Sequence, residues 1–200
     1  RTSTGFMDRF LVTAEAYHIP VTIVFNKYDI YDDEQKIIAN DLISTFEDIG
    51  YQSFVISAKS GLNCDRLADI MKDKLNLFSG HSGVGKSALV NRLDPNLNVR
   101  VGEISEVHEK GKHTTTFSQM FPLSFGGYII DTPGIKEFGL YDMEKETLAH
   151  RFPEMRRLMD ECKFSNCTHL HEPHCAIKKA VEENVIADWR YSDYCNMMED

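Results

Sequence analysis

The chain has 200 residues, of which 42% are hydrophobic, and a formal net charge of −9. This describes a globular rather than a disordered chain, with room for one sizeable domain and a small appendage. The acidic balance argues against a simple cationic nucleic-acid binder, although one local patch would suffice for RNA contact. No apolar run approaches the ~20 residues of a bilayer helix, so no membrane partner is expected, and no signal peptide opens the chain. The sequence begins at Arg1 with no initiator Met, almost inside a helix pattern, so further upstream sequence is expected. Three of its five cysteines cluster with a histidine, which suggests metal rather than disulfides and a reducing cytosol.

In chain order, Phe6, Phe10, Leu11, Ala14 and Tyr17 recur at helical spacing and predict a helix ending at Ile19-Pro20. The β-branched run Val21-Thr22-Ile23-Val24-Phe25 predicts a buried strand. It runs straight into Asn26-Lys27-Tyr28-Asp29. A carboxylate at Asp29 can accept both the ring N–H and the exocyclic amine of guanine. Adenine offers neither donor at those positions, and burying the carboxylate unpaired is costly. Asn26 would brace the loop and contact the base, and the Lys27 stem would pack on the base face. Alone, Asn-Lys-x-Asp also describes a solvated turn; the strand before it and the phosphate loop described below favour a guanine box.

Residues 33–49 predict a helix with Ile37, Ile38, Leu42, Ile43 and Phe46 inward, stopped by Gly50. Ser53-Phe54-Val55-Ile56 predicts the next strand, and it leads into Ser57-Ala58-Lys59. That tripeptide is uninformative in isolation. One strand–helix unit after the guanine box, it places the Ala58 N–H where it can bond the guanine carbonyl. Gly61 to Asn63 then turns into a helix running from Cys64 to about Leu75.

A short apolar strand, Leu77-Phe78, enters the loop Gly80-His81-Ser82-Gly83-Val84-Gly85-Lys86-Ser87, and a helix runs from Ser87 through Ala88 to about Leu93. Glycines let backbone N–H groups turn inward around a polyphosphate, and the helix N-terminus adds partial positive charge. Lys86 would reach the terminal phosphates, and Ser87 would place its hydroxyl on Mg²⁺. An ordinary Gly-rich turn would not need the glycines, the lysine and the serine all in register between a strand and a helix.

Residues 98–112 are polar and aperiodic, reading as a long mobile loop that ends in His113-Thr114-Thr115-Thr116. Thr115, with Thr114 as the alternative, could complete Mg²⁺ coordination when a γ-phosphate is present. A β-rich stretch and a Phe125-Gly126-Gly127 turn lead to the strand Tyr128-Ile129-Ile130, which ends in Asp131-Thr132-Pro133-Gly134. Asp131 would hold Mg²⁺ through water, and the Gly134 N–H would sense the γ-phosphate. Ile135 stands where many GTPases have a water-orienting Gln, so intrinsic turnover should be slow. His113 is the local candidate for positioning water, against a packing or RNA-contact role. Alternating strands and helices of these lengths indicate a mainly parallel sheet flanked by helices, an α/β fold. Conventional GTPases present the phosphate loop first. Here both guanine boxes precede it, which is a circular permutation.

From about Leu140 the chain reads as a separate, mainly helical piece, giving domains 1–139 and 140–200. Leu148, Phe152, Met155 and Leu158 or Met159 form an amphipathic stripe that Pro153 kinks or restarts. The pattern Cys162-x4-Cys167-x-His169-x5-Cys175 fits tetrahedral zinc, one per chain, which would order a segment with little core. His169 is the best fourth ligand, with His171 and His174 competing. The alternative is a set of reduced cysteines in a helical cap. Cys64 and Cys195 read as inert thiols.

These motifs, in this order and over almost all 200 residues, resemble the circularly permuted ribosome small-subunit-dependent GTPases, the RsgA or YjeQ family. The resemblance implies a cytoplasmic GTP-hydrolysing enzyme that acts late in small-subunit maturation, contacts rRNA and is stimulated by that subunit. The ligands expected from the residues are GTP/GDP, Mg²⁺ and Zn²⁺, with Lys86, Thr115 and His113 as the candidates for catalysis. A monomer is expected. The family's N-terminal OB-fold domain has no counterpart among these residues. Two other readings compete: a nucleotide-gated ribosome-binding switch with little hydrolysis, and a zinc-stabilised RNA-binding protein with a relic phosphate loop. Retention of Asp29, Lys86, Ser87 and Asp131 argues against the second.

Overall fold

The computed structural model describes residues 2–97, 119–131 and 144–199. Helix α1 (Thr4–Ala16) opens on Ser3, whose hydroxyl accepts the Phe6 N–H at 3.3 Å and so satisfies one orphan donor of the first turn. β1 (Thr22–Phe25) is the predicted strand without Val21, and it is half-buried rather than buried. α2 (Asp33–Ile49) also spans its predicted range. Asp32 and Gln35 close its start by accepting each other's backbone N–H at 2.8 and 3.2 Å, and Gly50, at φ 115, closes its end.

β2 (Gln52–Val55) is followed by α3 (Cys64–Met71), which stops at Met71 rather than near Leu75. Lys72 turns to ψ 134 and Asp73 adopts φ 58, conformations that end a helix whatever the propensity beyond them. The chain therefore reaches β3 (Leu75–Leu77) slightly before the predicted strand. α4 (Lys86–Leu93) follows the phosphate loop as expected, and β4 (Gln119–Pro122) and β5 (Tyr128–Asp131) form a hairpin.

The described strands form two sheets, β1-β2 and β3-β5-β4, with β3 parallel and β4 antiparallel to β5. The hairpin turn needs glycine at Gly127: it has φ 84, and a methyl there would run into the Lys74 backbone, where the Tyr128 N–H donates to the Lys74 carbonyl at 2.8 Å.

Contacts group the described residues into two compact units. The first holds residues 24–42, 53–97 and 119–131. Phe54, Ile56, Leu67, Met71, Leu89 and Ile129 centre its core, so α3 and α4 pack on the sheet beneath the loops that carry the nucleotide motifs. The second holds residues 2–23, 43–52 and 144–199. The division 1–139 and 140–200 follows chain order, whereas the compact units do not. Val12 of α1 lies in one core with Phe152, Met155, Ile177, Tyr194 and Met197.

The second unit adds α5 (Lys145–Leu148), α6 (Pro153–Arg156), α7 (Ala176–Glu182) and α8 (Asp188–Glu199). Pro153 restarts the helix rather than kinking it. At the first helical position its missing N–H leaves no bond unmade. Arg190 of α8, fully buried, joins that helix to α6 and to α1. It donates to Asp8 at 2.5 Å and to both Glu154 oxygens at 2.7 and 3.1 Å, with its guanidinium 4.6 Å from the centroid of the Phe152 ring. Among the described residues, no helix is long and apolar enough to cross a membrane.

Candidate nucleotide site and metal centre

Three loops from separate stretches of sequence meet in the first unit. In the phosphate loop, Gly80, Gly83 and Gly85 have φ 148, 81 and 97. Gly85 is constrained twice, since a Cβ would also lie 2.6 Å from the Asn26 amide nitrogen. Lys86 lies over this loop, its ammonium donating to the Gly80 and His81 carbonyls at 2.5 and 3.0 Å. Burial lowers its pKa. Ser87 is buried in the first turn of α4, beside Lys86 and next to Ala88. His81, Ser82 and Gly83 form the exposed crest of the loop, and Val84 leads down to Gly85.

Asn26 follows β1 and ties all three loops together. Its Nδ2 donates to the Val84 carbonyl at 3.0 Å, and its Oδ1 accepts the N–H groups of Lys27 and Ala58 at 2.8 and 3.1 Å. The Ala58 N–H, expected on a guanine carbonyl, is thus directed at Asn26. Lys27 adopts φ 66 and stretches its ammonium to the Gly83 carbonyl at 2.6 Å, so its stem runs alongside the space between the loops. Asp29 sits in a 3₁₀ turn, Tyr28–Ile30. Its Oδ1 accepts the Ser57 hydroxyl at 2.6 Å, and the exposed Lys59 ammonium lies 4.0 Å from its Oδ2.

Sequence reasoning named each of these residues but not their mutual bonds. Asn26–Val84 and Lys27–Gly83 join positions 58 and 56 apart in the chain, and no local pattern reports such pairs. His113, Thr114, Thr115 and Gly134 lie outside the described residues, as does the Asp131 side chain; the Asp131 backbone ends β5.

In the second unit, donor atoms of Cys162, Cys167, His169 and Cys175 all lie within 4.8 Å of one another. His169 Nδ1 is 3.7 Å from the Cys162 sulfur and 3.4 Å from the Cys175 sulfur, and those two sulfurs are 4.0 Å apart. A tetrahedral zinc with Zn–S of about 2.3 Å has ligand edges of roughly 3.5–3.8 Å, so the donor set fits that ion. His171 and His174, the competing ligands, are exposed and outside the cluster.

The loop geometry is fixed from several sides. His169 has φ 62, and its carbonyl accepts the Tyr191 hydroxyl at 2.7 Å, while the Thr168 carbonyl accepts the Tyr194 hydroxyl at 2.8 Å. The Glu172 carboxylate accepts the Thr168 N–H and hydroxyl at 2.9 and 2.7 Å and the His171 N–H at 3.2 Å. These bonds, those from Thr168 foremost, pull its pKa down to about 2. Burial holds His169 towards its neutral form and pushes the metal-free Cys167 thiol up to about 12.

Residues 1–141 match the family model described as RsgA GTPase. The chain is 54% identical over 199 residues to the small ribosomal subunit biogenesis GTPase RsgA of Bacteroides fragilis, and 52% identical over 199 residues to RsgA 2 of Bacteroides thetaiotaomicron. Both alignments cover 100% of this chain and 64% of the relative, so the chain spans just under two thirds of these curated relatives. Among solved structures, YjeQ from Thermotoga maritima is similar at TM-score 0.83 and 36% identity, covering 100% of this chain and 66% of that one. YloQ, described as a circularly permuted GTPase, is similar at TM-score 0.79 and 30% identity, covering 98% and 62%. Guanine boxes that precede the phosphate loop, together with these matches along the whole sequence, place the chain in the RsgA GTPase family.

Proposed function

We propose that this chain binds GTP and hydrolyses it to GDP and phosphate, as a cytoplasmic factor in late maturation of the small ribosomal subunit. Contact with that subunit's rRNA would stimulate the reaction. One observation carries the nucleotide reading: Asn26 bonds both the phosphate loop and the Ser57-Ala58-Lys59 loop, while Ser57 holds the Asp29 carboxylate between them. The names of the relatives support the ribosomal role.

Asp29 would accept the two guanine donors, with Lys27 against the base face and Lys59 and Ala58 at the rim. Residues 80–88 would enclose the phosphates, and the Lys86 ammonium would move from the loop's carbonyls to the terminal phosphates. Ser87, Thr115 and, through water, Asp131 would hold Mg²⁺, which supplies positive charge against the β- and γ-phosphate oxygens. Gly134 would report the γ-phosphate and His113 would position the attacking water, since Ile135 offers no polar group. Cys162, Cys167, His169 and Cys175 would hold one Zn²⁺. All four ligands are protein groups, so this is a structural centre with no position for a substrate.

The test is a GTPase assay with and without purified small ribosomal subunits. Turnover should rise at least about tenfold with subunits, the scale of a supplied transition-state contact. Absence of both GDP binding and GTP hydrolysis, in protein shown to be folded, would overturn the reading.

A further inference from the structure

We propose that Arg92 is a positioning residue for guanine selection: it fixes the Gly61–Cys64 turn that keeps Ser57 bonded to the Asp29 carboxylate. The proposal rests on the reading of Asp29 as the guanine acceptor. Arg92 lies in the last turn of α4, the helix that Lys86 and Ser87 begin. Its guanidinium is laid across Gly61, so a methyl on that residue would fall 2.2 Å from Nη2 and 3.1 Å from Cζ. Gly61 has φ 88, so the turn itself also requires glycine. Arg92 also lies close to the Cys64 thiol, where its positive charge works against the upward push that burial gives that group.

Both contacts lead to Ser57. The Gly61 N–H and the Cys64 thiol donate to the Ser57 carbonyl at 2.8 and 3.5 Å, and the Ser57 N–H donates to the Leu62 carbonyl at 3.1 Å. The backbone of Ser57 is thus held by residues 61, 62 and 64, two of which Arg92 touches. The Ser57 hydroxyl accepts the Ser60 N–H at 3.0 Å, which leaves its proton for Asp29 Oδ1 at 2.6 Å.

An O–H···O⁻ bond of this kind is short, directional and charge-assisted, so displacing Ser57 turns the carboxylate. A carboxylate that must meet two donors at once loses discrimination when it turns. Arginine suits the role because its plane covers the Gly61 face while its charge stays delocalised beside Cys64. Lysine offers a point charge without that plane. The same side chain therefore connects the helix that starts at the phosphates with the loop that orients the base acceptor.

The experiment compares GDP with inosine diphosphate, whose base lacks the exocyclic amine, by titration calorimetry on the whole chain. Arg92→Ala should reduce the GDP:IDP affinity ratio by about fivefold, a coupling of ordinary size for residues in one network. Arg92→Lys should recover less than half of that loss. In a Ser57→Ala background, Arg92→Ala should change the ratio no further, because both act through Asp29. A parental ratio in Arg92→Ala, with both affinities equal to the parent or lowered in step, would show a merely structural role and overturn the proposal. If Arg92→Ala does not fold, a parental ratio in Arg92→Lys overturns it. Asp29→Asn separates the two levels. If that variant keeps the parental ratio, the nucleotide reading itself fails; if it loses the ratio while Arg92→Ala keeps it, only the role of Arg92 fails.

Discussion

At the scale of single residues, Asn26 shows how one side chain can hold three loops of a proposed site together. Its amide satisfies the Val84 carbonyl and the N–H groups of Lys27 and Ala58. Asn26→Ala leaves all three without protein partners in a partly buried setting. Lost partners of this type cost about 1–3 kcal/mol in total once water replaces some of them. We expect urea unfolding to show a loss of about 2 kcal/mol and GDP affinity to fall more than about tenfold. Asp29→Asn puts a donor amide where guanine presents donors. GTP affinity should drop by roughly a hundredfold or more, while xanthosine nucleotides, with an oxygen at that place, should gain. Unchanged GTP binding in that variant would remove Asp29 from the site. Asp29, Lys86 and Ser87 could be proposed from the sequence because ligand chemistry dictates both residue type and spacing. The Ser57–Asp29 bond and the Arg92 contact were not, since they depend on where separate loops meet in space.

At the scale of elements, α2 was readable from its period, and Gly50 stopped it where its sequence said it would. α4 followed from the phosphate loop before it, and α1, expected to reach Ile19-Pro20, ends at Ala16 because His18 turns to φ 54. α3 was read too long. Apolar Leu75 continued its pattern, but the turn at Lys72 and Asp73 is set by the approach to β3, which periodicity does not record. The junction of α1, α6 and α8 was invisible, because Arg190 and Asp8 lie 182 positions apart. Burial, only partly offset by Arg190 and reinforced by the nearby carboxylates of Asp193 and Glu154, pushes the Asp8 carboxyl up to about 7. A folded pKa above the unfolded value means that the native state binds the extra proton. The associated stability is full below about pH 4 and is lost as pH rises through 7. The melting temperature should therefore fall between pH 5 and pH 7.5 and level off above. In Asp8→Asn, which carries no titrating proton, that slope should flatten. An equal slope in both proteins would mean that another group is responsible.

At the scale of the whole molecule, the order of the motifs was plain from sequence, whereas the compact units were not. A boundary drawn along the chain cannot show that residues 2–23 and 43–52 group with residues 144–199. The second unit thus includes segments from both ends of the sequence, and its stability should not behave as that of a C-terminal tail. The donor cluster sits within its core network, since Tyr191 and Tyr194 bond the carbonyls of His169 and Thr168 while Tyr194 also packs on Phe152. Loss of one ligand should therefore spread from residues 162–175 into α8 and, through Arg190, to α1. The nucleotide loops instead draw on the separate core around Ile56, Leu89 and Ile129. We expect one zinc per chain by metal analysis. Cys167→Ser or chelation should increase hydrogen exchange in residues 4–16 and 188–199 as well as around the cluster. GDP affinity should stay within about twofold of the parent, the scatter expected for sites that share no partners. Carefully purified protein without zinc would end the structural-zinc reading, and a GDP affinity that falls in step with zinc occupancy would show that the two units are energetically one.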